Sequence, residues 1–104
     1  MANQKLLMAL QRAGDKLNRA RPIDHTAYFP DERSISNFLS FLVKNKFKVT
    51  ARDNKGIPGF PLRLQFTRTD LPAIASLSRL TMELRSQAAR CNGTYDGWET
   101  ILLK

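Results

Sequence analysis

The chain has 104 residues, 42% of them hydrophobic and 9% aromatic, with a formal net charge of +8. That length and that apolar content fit one packed domain and exclude wholesale disorder. No apolar run reaches the roughly 18 to 20 residues that cross a bilayer, and the N-terminus lacks the pattern of a cleaved leader, so the expected location is the cytoplasm.

Residues 4–20 read as an amphipathic helix, with Leu6, Leu7, Leu10, Ala13 and Leu17 at helical spacing and Gly14 as its weak point. Arg21-Pro22 breaks it. Ile23, His25, Ala27 and Phe29 then alternate with Asp24, Thr26 and Tyr28, which predicts a strand half-buried against a core. Asp31 is placed to cap a second helix, whose inner stripe is Ile35, Phe38, Leu39, Leu42 and Val43. Phe47, Val49 and Ala51 alternate with Lys46, Lys48, Thr50 and Arg52, a second strand. A breaker-rich loop over 53–59 leads to a third strand, with Leu62, Leu64 and Phe66 opposite Arg63, Gln65 and Thr67. Thr69-Asp70-Leu71-Pro72 is a helix-start signal, and Ile74, Leu77, Thr81, Leu84 and Ala88 make the inner stripe of a third helix ended by Asn92-Gly93. Thr94 to Leu103 reads as a fourth strand.

The order is helix, then strand–helix–strand–strand–helix–strand. That is an α+β, ferredoxin-like split β-α-β sandwich: a four-stranded antiparallel sheet in the order 4-1-3-2, helices on one face, with an extra N-terminal helix. Residues 1–20 would hold that helix and residues 21–104 the ferredoxin-like unit, a single domain overall.

The search for chemistry returns little. Gly56 and Gly59 flank Pro58 in a loop that lacks the Lys-Ser/Thr and following helix of a phosphate-binding loop. One cysteine, Cys91, and one histidine, His25, are too few for a zinc site and make a poor nucleophile–base pair, and no serine sits in a nucleophile elbow. His25 lies on the apolar side of its strand, where a core histidine is the expected reading. The expectation is therefore no catalytic residue, no metal and no cofactor: a module that works by binding a macromolecule.

Two surfaces are candidates. Lys46, Lys48, Arg52 and Arg63 would cluster on the outer face of strands two and three, a basic patch for nucleic acid. The outer sheet face offers Tyr28 but no second stacking aromatic, so the signature of an RNA-recognition motif is missing. The other candidate is the run Tyr95-Asp96-Gly97-Trp98, with the only tryptophan beside a strand glycine, a placement that marks a bulge or a close approach. Simple alternation would set Tyr95, Gly97 and Glu99 opposite Asp96, Trp98 and Thr100.

Tyr95-Asp96-Gly97-Trp98-Glu99-Thr100 resembles the Tyr-Asp-Gly-Trp-Gly-Thr signature of the bacterial regulator of ribonuclease E activity B family. Upstream, Ile23-Asp24-His25-Thr26-Ala27-Tyr28-Phe29, the Phe38/Leu42 helix and Lys46-Phe47-Lys48-Val49 look like that family's first strand–helix–strand unit. The unit has a His in the strand and a Gly-aromatic step before the second strand; Asn45-Lys46 replaces that Gly here. The resemblance implies an α+β sandwich without catalytic residues. It also implies a protein partner, a ribonuclease or degradosome component, with His25, Tyr95, Asp96, Gly97 and Trp98 at the shared motif positions. Family members of this type are strongly acidic and carry an acidic C-terminal tail, whereas this sequence is +8 and runs to Lys104 just after the motif. A nucleic-acid-binding module is the second reading.

Overall fold

The structure is a computed structural model that describes residues 2–104; Met1, the first residue of the expected N-terminal segment, lies outside them. The elements are α1 (Ala2–Arg12), β1 (Arg21–Phe29), α2 (Glu32–Lys44), β2 (Lys48–Asp53), β3 (Leu62–Asp70), α3 (Ile74–Arg90) and β4 (Thr94–Thr100). The four strands form one antiparallel sheet in the order β2-β3-β1-β4, as the alternation and element order predict.

Ile23, His25, Ala27 and Phe29 of β1 point into the core with Leu64 and Phe66 of β3. Facing them are Ile35, Phe38 and Leu42 from α2 and Leu84 and Ala88 from α3. A smaller apolar cluster of Leu7, Ile23, Leu77 and Trp98 seats α1 on α3 and the β4 side of the sheet. α1 thus joins the helix layer. The opposite sheet face stays uncovered.

All three helices end in the same way, and the ends explain where the chain turns. In each, a residue in the left-handed region closes a paired set of backbone bonds to the last turn. At α1, Gly14 (φ +103) donates to Gln11 O at 3.0 Å while Asp15 N reaches Leu10 O at 3.0 Å. The helix therefore stops at Arg12, not at 20. At α2 the left-handed residue is Lys46 (φ +64), with Phe47 N on Leu42 O at 2.9 Å. At α3 it is Asn92 (φ +60), with Gly93 N on Ala88 O at 2.8 Å. At the other end of α2, Asp31 caps as expected, its side chain accepting from Ser34 N at 2.9 Å, and this bond holds its carboxyl below the usual range.

Four local expectations are corrected. β3 runs on to Asp70, so Leu71-Pro72-Ala73 forms the connection and α3 begins at Ile74, with no side-chain cap. Val43 and Ile74, each assigned to an inner stripe, are 76% and 46% exposed; they lie in the last turn of α2 and the first turn of α3. Leu6 is exposed too; of the α1 stripe only Leu7 is fully buried. β4 ends at Thr100, three residues early. Beyond it the chain is drawn back over the segment after α1 by a buried ion pair. Arg21 grips both carboxylate oxygens of Asp15 and donates to Ile101 O at 3.2 Å, while Leu103 N and Leu17 N donate to the same carboxylate. The Arg21 guanidinium holds the Asp15 carboxyl far below the ordinary carboxylate range.

Candidate partner-binding site around the fourth strand

β4 departs from simple alternation because it carries a bulge. Thr26 lies opposite Gly97, and the next residue, Ala27, lies opposite Tyr95, so Asp96 is the extra residue. Gly97 takes φ +124, open to glycine and strained for any other residue. The consequence is that Tyr95 and Trp98, three apart, both turn into the protein, while Asp96 and Glu99 are exposed. The expectation that Tyr95 and Trp98 lie on opposite faces is overturned by this one inserted residue.

The two inward aromatics are locked by polar partners. Trp98 donates from Nε1 to Asn3 Oδ1 of α1 at 2.8 Å, and Asn3 donates in turn to Thr81 Oγ1 of α3 at 2.9 Å. Asn3 is itself buried, so this network ties α1, α3 and β4 together. The Tyr95 hydroxyl lies 2.7 Å from His25 Nδ1, and the Arg85 guanidinium sits over the Tyr95 ring at 5.8 Å. Burial pushes the Tyr95 hydroxyl well above its ordinary pKa.

His25 is fully buried, stacked on Phe66 at 5.3 Å with Phe47 edge-on at 5.7 Å. Burial pushes its pKa down to about 4, so the ring is neutral at pH 7. Its Nε2 has no hydrogen-bond partner among the described residues. His25 and Tyr95, two motif positions 70 residues apart, are thus one hydrogen-bonded core pair.

What the motif presents to solvent is its backbone and its acids. A shallow depression of about 170 Å³ on the open sheet face is lined by Asp24, Thr26, Asp96, Gly97, Trp98 and Glu99. Asp24 and Glu99 are directly opposite each other across β1 and β4. The Tyr28 hydroxyl leans toward Asp96 at 3.5 Å. None of Asp24, Asp96 and Glu99 is in an ion pair among the described residues. A chain of charge +8 therefore carries a locally acidic surface beside the motif.

The basic patch does not assemble. A second bulge, at Thr50, shifts the register of β2 against β3, so that Ala51 faces Gln65 and Arg52 faces Leu64. Arg52 is thereby carried to the helix side of the sheet, where it pairs with Glu32 of α2. Arg63 stays on the open face but is held by Asp53 through two bonds of 3.1 and 2.7 Å. Lys46 is in the turn after α2, not in a strand. Of the four, only Lys48 stands on the open face without an ion pair among the described residues, opposite Thr67. Reading β2 as unbroken alternation is what grouped them.

No three His, Cys, Asp or Glu side chains converge as metal ligands among the described residues. Cys91 is buried in the core, and burial raises its thiol pKa, the wrong direction for a nucleophile. No helix is long and apolar enough to cross a membrane among the described residues. Sequence reasoning missed Asn3 and Arg85 as neighbours of the motif, and the placement of Asp24 directly across from Glu99. Gly97 inside a strand signalled the bulge that gathers Asp96 and Glu99, whereas nothing local to Asn3 marks it as a partner of Trp98, 95 positions away.

Among curated proteins the chain has no match. The sequence profile of the family described as regulator of ribonuclease activity B matches residues 1–100, α1 included. With the match spanning nearly the whole chain and the Tyr95–Trp98 run forming the bulged centre of β4, this chain belongs to the regulator of ribonuclease activity B family.

Proposed function

We propose that this chain is a non-catalytic regulator that binds a ribonuclease through the surface around β4, and so acts in the control of RNA turnover in the cytoplasm. The observation that carries this reading is the division of labour within the motif. Tyr95 and Trp98 are spent on the core through His25 and Asn3, while Asp96 and Glu99 are turned outward beside a concave face. The core half sets the shape of the strand, and the outer half is left for a partner. The reversed net charge of the chain is compatible with this. Recognition depends on local charge, and the depression beside the motif is lined by three carboxylates, Asp24, Asp96 and Glu99, without an ion pair among the described residues.

The nucleic-acid reading is the less favoured one, because two of the four cations behind it, Arg52 and Arg63, are paired with Glu32 and Asp53. The test is interferometry with an immobilised ribonuclease E-type endonuclease, treated with nuclease to remove bridging RNA. The parent is expected to bind saturably and to bind less tightly as salt rises. Binding that vanishes with the RNA would transfer the function to nucleic acid, and no binding at any salt would remove the ribonuclease as partner.

A further inference from the structure

We propose that the free edge of β4 takes up an extended, cationic segment of the partner protein as an additional strand. This rests on the reading that the chain binds a protein at this surface, and it names the chemistry of the segment and the way it is held. β4 pairs with β1 along one edge only, and among the described residues no backbone–backbone hydrogen bond reaches its other edge. An unpaired edge is a template for another strand unless the protein blocks it. The other edge of the sheet, β2, is blocked by ordinary devices: it is six residues long, carries a bulge at Thr50, and exposes Lys48 and Arg52. β4 also carries a bulge, at Asp96, but its exposed charges are the acids Asp96 and Glu99, which repel an anionic strand and admit a cationic one.

Beside the free edge the structure supplies side-chain pockets. Leu6, Ala9 and Leu10 of α1, with Ala13 just past its end, face Trp98 and Leu102 across an apolar groove of about 240 Å³. A second cleft of about 140 Å³ includes Asn3, Arg85, Tyr95 and Gly97 in its lining. Leu6 and Trp98 line both, so the two run on from one another along the strand. Leu6 is 42% and Leu102 40% exposed, which leaves apolar area for alternate side chains of an incoming strand. Backbone bonding for affinity and alternate pockets for specificity are the two elements of strand addition.

The charges choose the occupant. Glu99 lines the apolar groove, where it is the one charged side chain; Asp96 lines the second cleft together with Arg85, which sits over the Tyr95 ring, and neither acid has an ion pair among the described residues. A segment alternating apolar residues with Lys or Arg would fill the groove and neutralise them. A second copy of the chain would not. Antiparallel self-pairing in the register that sets Asp96 opposite the other copy's Glu99 would place two pairs of like charges face to face, which is destabilising.

The experiment uses the full chain, isotope-labelled, and two synthetic ten-residue peptides, one alternating Val with Arg and one alternating Val with Glu. Amide exchange is followed by NMR with and without peptide. The Val/Arg peptide should bind, slow exchange at alternate amides of 94–100 by about tenfold or more, and leave β2 unaffected. The Val/Glu peptide should not bind. The surface variant Asp96→Lys/Glu99→Lys should bind the Val/Arg peptide at least about tenfold more weakly while keeping the parent's melting temperature. No binding by the parent, binding without protection of β4, or equal binding by the variant would overturn the proposal. The same pair of proteins is then tested on the ribonuclease. Capture of the enzyme equally by parent and variant would also overturn strand addition, while leaving the ribonuclease partner in place. Failure of both to capture it, with the peptide still protecting β4, would uphold the edge site and remove the ribonuclease.

Discussion

Lys46 holds the left-handed position that closes α2, with φ +64, and its side chain makes no hydrogen bond or ion pair among the described residues. A residue with a Cβ is strained there by roughly 1 to 2 kcal/mol, from which the greater flexibility of glycine in the unfolded chain takes back about 0.5 to 1. Lys46→Gly should therefore stabilise the protein by about 1 kcal/mol, which for a domain of this size raises the melting temperature by about 4 to 8 °C. The rest of the motif should be undisturbed, because Phe47 follows with its ring still packed on Phe66 and its N–H still on Leu42 O. The assay is thermal melting by circular dichroism, with a urea midpoint at unchanged m as a second measure. Two companions separate the causes. Lys46→Ala removes the same charge but keeps the strain, so it should change stability by less than about 0.5 kcal/mol. Asn92→Gly relieves a milder strain at φ +60, because asparagine tolerates this region, and should gain less than Lys46→Gly. If Lys46→Ala stabilises as much as Lys46→Gly, the gain comes from lowering the +8 charge and the backbone argument is wrong.

Asn3→Ala leaves the buried Trp98 N–H without its acceptor and should cost roughly 1 to 3 kcal/mol. Urea unfolding followed by fluorescence of this single tryptophan checks it, and an unshifted midpoint would mean that α1 is not fastened through Asn3. Gly97→Ala meets no atom within 4 Å but must adopt φ +124, so pure backbone strain of about 1 to 3 kcal/mol is expected, read from the same unfolding curve; a neutral result would contradict the bulge geometry. The buried His25 ring gives stability a pH dependence. The unfolded ring takes up its proton near pH 6.5 and the folded one only near 4, so stability is full above 6.5 and falls as the pH drops toward 4, by about 3 kcal/mol in all. His25→Asn should flatten the slope between pH 6.5 and 5, and an equal slope in both proteins would place the titrating group elsewhere.

Most of the scaffold was legible because its alternation is unbroken where it matters. His25, Ala27 and Phe29 on β1 and Leu64 and Phe66 on β3 keep a strict period of two, and these central strands set the sheet order. The errors fall where one residue is added or removed from the count. The bulge at Thr50 moved Arg52 across the sheet and dissolved the basic patch, and the bulge at Asp96 put Tyr95 and Trp98 on one side. No local composition marks the first; the glycine at 97 marks the second, and its positive φ is the reason. The Gly14 turn that shortens α1 was equally visible as a breaker inside a helical pattern. What no local reading of the sequence reaches are the pairings over long separation: Asn3 with Trp98, Asp15 with Leu103, and Asp24 facing Glu99. These depend on the fold being complete, and they shape the surface on which the proposed function rests.

The most direct measurement is the rate at which a ribonuclease E-type endonuclease cleaves a fluorescently labelled RNA in the presence of increasing amounts of this protein. The account predicts a saturable fall in rate with the parent, and a much weaker effect at the same concentrations with Asp96→Lys/Glu99→Lys, checked to melt at the parent's temperature. Cleavage that is unaffected by the parent, or slowed equally by both proteins, would contradict it.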